Sequence, residues 1–271
     1  MGYQGQPFRA DADERQIWAK ADKEAEKLGK LNKLYDDPLL EEYLAKVADR
    51  LIPEEVKAAG GPGFRFAVFK DPSLNAFAMP NGRVLILTGL LARMENEAQL
   101  ATILSHELTH VTHRPSLKAF RDERNKRIFF GVAGVATSIG AAVAAGDQAR
   151  RGNPVSAEVL RQTGNVLLGL GLTLAYAASV TGYNRDLERE ADEEGMARLV
   201  KAGYDPKEAP KVFELLRKDY GDRGPIETFF FGSHPRLAER IETTSHLLQT
   251  RYAAEAAKGI VDTPEFPLRM R

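Results

Sequence analysis

Residues His106-Glu107-Leu108-Thr109-His110 constrain this chain more than any other stretch. They form an H-E-x-x-H pattern within a run where Leu100, Ile103, Leu104 and Leu108 recur at helical spacing. Side chains four apart share a helix face, so His106 and His110 can aim ring nitrogens at one metal ion. Glu107 follows the first histidine and stands beside such an ion without binding it, able to take a proton from an activated water. The pattern points to a zinc hydrolase. It also arises by chance, so the flanking sequence has to decide.

The search for a third ligand is narrow. The 271 residues include no cysteine, which excludes disulfides and thiolate ligands and leaves five histidines and the carboxylates. A catalytic zinc takes three protein ligands and keeps one position open. His113 roughly shares the face of His106 and His110, but three ligands on one straight helix would span two turns. That is about 10 Å, too far for one ion bound at roughly 2 Å. His113 therefore reads as a surface or outer-layer residue. Glu188 is the better candidate, within Glu188-Arg189-Glu190-Ala191-Asp192 on a predicted helix. Glu188 and Asp192 project from one face, and the small Ala191 lets that face approach the His106 helix. Glu188 can bind the ion while Asp192 accepts a hydrogen bond from the free nitrogen of a ligand histidine. Spacing alone leaves a solvated, charged helix equally open.

The rest of the chain reads as support. Its 38 basic and 38 acidic residues cancel, which gives no electrostatic reason to expect nucleic acid. Residues 1–15 are polar without an apolar signal core, as in a cytoplasmic protein or an exported one whose leader has been removed. An amphipathic helix is predicted over 10–33, and another starts at Asp37-Pro38, a cap followed by proline. Strands are predicted over 64–70, 75–79 and 83–87. A Pro80-Asn81-Gly82 turn joins the last two as a hairpin, and its proline suggests a sheet edge. Asn96 caps the central helix with Gln99 three residues on, and Pro115 ends or kinks it. Residues 128–146 and 164–183 are uncharged and each about long enough to cross a bilayer. Small and hydroxyl residues dilute both, so 128–183 reads as a partly buried helical hairpin, with peripheral membrane contact or insertion as the alternative. Helices over 185–202, 205–220 and 236–257 complete one helix-rich domain with a small sheet.

The set Asn75-Ala76-Phe77, Glu97 ahead of His106-Glu107-x-x-His110-Val111, Glu188-x-x-Ala191-Asp192, and His234-Pro235 with Arg240-Ile241 resembles the HtpX and CAAX-prenyl-protease family of gluzincin metallopeptidases. It is more closely similar to the soluble, periplasmic or lipoprotein-type bacterial members. The matching segments run from about residue 36 to 241. Together they are far more specific than H-E-x-x-H alone. The resemblance implies an α+β, mostly α, zincin-like minigluzincin domain, with a sheet of about three strands beside the H-E-x-x-H helix. It implies one zinc per chain on His106, His110 and Glu188, with Glu107 as general base. Asp192 then lies behind the ligands, and His234 assists the transition state. Family members often carry Arg-His after the central helix, where this chain has Arg114-Pro115; that departure touches the helix end and not the zinc site. Some relatives insert a transmembrane hairpin where 128–183 lies. The implied organisation is a helical extension over 1–35, a metallopeptidase domain over 36–258 and a tail over 259–271.

The expected activity is peptide-bond hydrolysis in unfolded or misfolded proteins of the bacterial envelope, periplasmic or lipoprotein-anchored. An extended peptide would add as a strand to the edge at Asn75, Ala76, Phe77 and Ala78. Read without the family pattern, Asn75-Ala76-Phe77 is an ordinary core strand and His234 a surface histidine before a helix. Two other functions fit the same features: a chaperone-like module that uses the edge strand and apolar hairpin, and a membrane-integrated processing protease.

Overall fold

A computed structural model describes residues 10–30, 33–57, 61–72, 74–114, 185–221 and 237–270. The apolar hairpin expected over 128–183 and the His234-Pro235 pair lie outside the described residues.

Helix α1 spans Ala12–Lys30. It turns a face of Ile17, Ala21 and Ala25 inward, with Glu14 and Glu24 buried along the same side. The strand β1, Leu34–Tyr35, follows. Asp37 then caps α2 (Pro38–Asp49), its carboxylate accepting from the amides of Leu39 and Leu40, with Pro38 in the first turn where its missing N–H costs nothing. Leu40, Tyr43, Leu44 and Val47 form the inward stripe of α2, and each fully buried side chain of this size contributes about 1.5–3 kcal/mol. After the short helix α3 (Glu54–Lys57) the chain enters the sheet: β2 (Arg65–Phe69), β3 (Ala76–Ala78) and β4 (Arg83–Leu87).

Among the described residues the sheet has four strands in the order β1-β2-β4-β3, one more than the pattern predicts. The extra strand, β1, is two residues long, too short for any period to register. The predicted hairpin forms: β3 pairs antiparallel with β4, and the amide of Gly82 closes the turn on the carbonyl of Met79. Gly82 has φ +85 and lies so close to Pro62 and Gly63 that a Cβ would clash with them, so only glycine fits. β2 and β4 run parallel, with Phe66 opposite Val84 and Val68 opposite Ile86, which places β3 at the outer edge.

A single turn, α4 (Thr88–Leu91), leads to α5 (Glu97–His113). Asn96 accepts from the Gln99 amide, and Gln99 reaches back to the amide of Glu95, one residue earlier than a capping box would place it. The sequence predicts one buried stripe on α5; every one of its residues is buried. Thr102, Ser105 and Thr109 tolerate this because their hydroxyls donate back to carbonyls of the preceding turn. The helix stops at Arg114, which adopts the left-handed conformation (φ 55, ψ 42) common just past a helix C-terminus.

α6 (Arg185–Lys201) packs across α5, and Gly203 (φ +84) ends it as a C-terminal glycine. α7 (Glu208–Gly221) and α8 (Leu237–Thr250) follow. α8 ends seven residues before the predicted 257, and Ala257 itself takes a positive φ of 65 that no helix continues through. The tail shows no sequence pattern, yet it is stitched down. Ile260 bridges to Tyr204, the carbonyl of Val261 accepts from the Ala98 amide, and α9 (Phe266–Met270) buries Phe266 against the core. No described helix is long and apolar enough to cross a membrane.

Candidate metal centre

The crossing of α5 and α6 brings the candidate ligands together. Gly195 makes the close approach: a Cβ there would lie 3.2 Å from Ser105 Oγ and 3.3 Å from the His106 amide nitrogen. With Ala191, it gives α6 a face of small residues that lets the helix backbones nearly touch. The sequence reading recognised Ala191 and missed Gly195, although the two are four apart and share a face. Across this crossing His106, His110 and Glu188 each point one donor atom inward, and all three atoms lie within 4.8 Å of one another. His106 Nε2 is 3.0 Å from His110 Nε2, His110 Nε2 is 3.1 Å from Glu188 Oε1, and His106 Nε2 is 3.5 Å from Glu188 Oε2.

These separations test whether a metal fits. Tetrahedral ligation at 2.0–2.1 Å puts neighbouring donors about 3.3–3.4 Å apart, and the three measured distances bracket that value. Two imidazole nitrogens facing each other and a carboxylate in a buried site also form a donor set that a cation suits. The residues present fit a metal ion. His113 lies apart from the cluster, with its Nδ1 3.0 Å from Glu190 Oε1.

A second layer holds His106. Asp192 Oδ1 lies 2.9 Å from His106 Nδ1, so a proton on Nδ1 leaves the Nε2 lone pair free to face His110 and Glu188. Behind Asp192 stands Arg240 of α8, whose Nε and Nη2 donate to the Asp192 carboxylate at 2.6–3.1 Å. Arg240 Nη2 is also 2.8 Å from His106 Nδ1. A guanidinium cannot accept, so with Nδ1 protonated its hydrogens serve Asp192. Arg240 stacks over the Phe213 ring at 4.1 Å, an apolar wall that fixes the guanidinium plane. Arg240 stood in the motif set but carried no assigned role. Its partner is 48 residues away, a separation at which no sequence period reports contact.

Electrostatics follow from this layering. Burial alone would raise Asp192, but the Arg240 charge outweighs it and holds the carboxyl below the usual range. Burial and Arg240 press the His106 imidazole towards neutrality, but Glu188 and Asp192 outweigh both, and it ends raised to about 9. Glu107 is fully buried on α5 one residue past His106, and its charge acts on Arg240. Asn75, Ala76, Phe77 and Ala78 lie on or beside the edge strand β3, which packs against α5, and all four are buried. His234 lies outside the described residues.

Comparison with known proteins extends what the geometry implies. The chain is 30% identical over 190 residues to a putative beta-barrel assembly-enhancing protease of Vibrio cholerae, covering 68% of this chain and 34% of that protein. It is 28% identical over 205 residues to the beta-barrel assembly-enhancing protease of Escherichia coli K12, covering 71% and 36%. A mitochondrial metalloendopeptidase of Schizosaccharomyces pombe is 28% identical over 201 residues, covering 73% and 50%. The chain thus spans about a third of the length of these bacterial relatives. A family model matches residues 38–248, from the first residue of α2 almost to the end of α8 and across every residue of the buried cluster. On that match, this chain belongs to peptidase family M48.

Proposed function

We propose that this chain is a zinc metalloendopeptidase in which His106, His110 and Glu188 hold one zinc ion and Glu107 is the general base. The observation that carries the reading is the convergence of the three donor atoms within 4.8 Å, with Glu107 buried beside them. Zinc held there would supply a Lewis acid for the scissile carbonyl and an acidified water as nucleophile. Glu107 takes the proton of the attacking water and returns it to the leaving amine. Asp192, backed by Arg240, keeps the proton of His106 on Nδ1 and the ring aimed at the ligand cluster. His234 is the proposed donor to the tetrahedral oxyanion, on the strength of its motif alone.

The proposed substrate is an extended polypeptide added along β3. β3 is the outermost strand of the sheet, so its outer main-chain groups are those not used by β4. Main-chain recognition favours unfolded segments with modest sequence selectivity. The bacterial relatives are named for β-barrel assembly, and barrel strands stay unsatisfied until the barrel closes. This supports a role in protein quality control in the bacterial envelope, nearer the exported members of the family than the HtpX and CAAX-prenyl proteases.

The test is casein cleavage by the purified, zinc-loaded protein and by Glu107→Gln. The expected result is loss of cleavage, on the order of a hundredfold or more, with zinc content unchanged. Cleavage that survives the substitution sinks the reading.

A further inference from the structure

The candidate ligands stand on α5 and α6, but a charge close to them comes from neither helix. Arg240 lies in the first turn of α8, and only 2% of it is exposed. Burying a guanidinium is costly unless carboxylates pair with it, and two face this one from a single helix. Its Nε and Nη2 donate to Asp192 at 2.6–3.1 Å, while its Nη1 lies 3.8 Å from Oε2 of Glu188, the proposed third ligand. Glu188 and Asp192 are both buried and one turn apart on α6, and like charges at that spacing repel. The guanidinium stands against both. It offsets a repulsion that would otherwise push the Glu188 carboxylate from its place 3.1 Å from His110 Nε2.

The fork is seated from its other side. Phe213 of α7, itself buried, presents its ring face 4.1 Å from the guanidinium carbon. α7 packs on α8, and α8 packs on α6. A chain of contacts therefore runs from α7 through Arg240 to a metal ligand, although among the described residues neither α7 nor α8 supplies a member of the ligand cluster. A lysine at this position could carry the charge, but it lacks the planar fork that faces two carboxylates at once.

We infer that Arg240 is a positioning residue for Glu188 as well as for Asp192, and that through it α7 and α8 set the zinc affinity of a site built on α5 and α6. The inference deepens the peptidase reading and rests on its assignment of Glu188 as a ligand. It is separable from the backing of Asp192 alone: a residue that acts only through Asp192 has no effect left to show once Asp192 is changed.

The test uses the purified full chain and two readouts that need no turnover: zinc affinity by competition with a chelator, and the visible spectrum of the protein loaded with Co2+. In Arg240→Lys, zinc affinity is expected to fall about 10- to 100-fold, as for other residues that orient metal ligands, and the Co2+ bands to shift. In an Asp192→Asn background the same substitution is expected to cost a further fall of about three- to tenfold, within the coupling range of neighbouring charges. Phe213→Leu keeps the apolar bulk and removes the ring face. It is expected to lower zinc affinity about two- to fivefold, and it carries the test if Arg240→Lys does not fold. No further loss in the Asp192→Asn background overturns the role towards Glu188. Wild-type zinc affinity and an unmoved Co2+ spectrum in Arg240→Lys, with only its melting temperature lowered, overturn the inference as a whole. Unchanged affinity in Phe213→Leu overturns the part given to α7. A wild type that binds zinc but cleaves no casein, with the variants ordered as expected, overturns the peptidase reading and leaves this inference standing.

Discussion

At its N-terminal end α5 buries Glu97, and ten residues on it buries Glu107, yet the surroundings of the two carboxylates differ in kind. Glu97 accepts from the hydroxyls of Tyr43 and Tyr204 at 2.7 Å each and from Thr263, with Arg50 3.6 Å away. Its amide is in turn capped by Asp262 at 3.3 Å. Those partners come from α2, the turn after α6 and the C-terminal tail, so one carboxylate at a helix N-terminus ties three distant segments together. The burial of both tyrosines against it pushes their own phenols far above the usual range. Glu107, by contrast, follows His106 on the same helix, in a buried region of ionisable side chains where His106, His110 and Glu188 point donor atoms at one another. A carboxylate ringed by hydroxyl donors holds a structure together. Donors gathered about a common centre hold a ligand.

That contrast can be broken or sharpened by substitution. The largest effect is expected from Glu188→Gln, which removes the only carboxylate of the ligand cluster. The purified protein should then fold but retain no zinc by metal analysis. Glu97→Gln should do the reverse. It leaves buried hydroxyls facing an amide and should cost about 2–3 kcal/mol of stability, measured by denaturant unfolding, with zinc affinity unchanged in the protein that remains folded. If Glu97→Gln weakens zinc as strongly as it weakens the fold, the two ends of α5 are not separate. Asp192→Asn is expected to lower zinc affinity by about 10- to 100-fold in a competition titration, because the amide can no longer be relied on to take the Nδ1 proton of His106.

The smallest effect is one of pH. With its imidazole raised to about 9, metal-free His106 carries a proton that zinc must expel. Zinc uptake at pH 7.5 should release about one proton from this site, and apparent affinity should rise roughly tenfold per pH unit up to about 9. Without metal the sign is opposite. A raised histidine stabilises the fold fully below its unfolded value near 6.5, and that contribution fades as the pH climbs through about 9. The zinc-free protein should therefore lose stability over the same interval in which zinc binds better. Thermal melts across pH 6–10, with and without zinc, check both limbs.

Much of this protein is written in short-range signals. Asp37-Pro38 and Asn96 start helices because a side-chain oxygen meets an amide two or three residues on. Gly82 and Gly203 mark turns because only they take a positive φ without strain. His106 and His110 share a face because a helix repeats every 3.6 residues. Such signals lie within one turn of chain and survive without tertiary context. They also specified H-E-x-x-H, and they proposed Glu188 and Asp192 as its complement.

What the tertiary structure alone decided are pairings between residues far apart, which carry no period. Arg240 meets Asp192 across 48 residues, Thr263 meets Glu97 across 166, and Asp22 meets Asn81 across 59. β1 joins the sheet with two residues, and β2 pairs parallel to β4 rather than with the next strand along the chain, β3. Gly195 matters only because α6 happens to cross α5 there. Each of these depends on which surfaces pack together, and packing is chosen by the whole buried area rather than by any one residue's neighbours along the chain. The sequence by itself determined the H-E-x-x-H motif and the element that carries it; the fold decided which residues orient His106 and which distant segments hold the N-terminal end of α5.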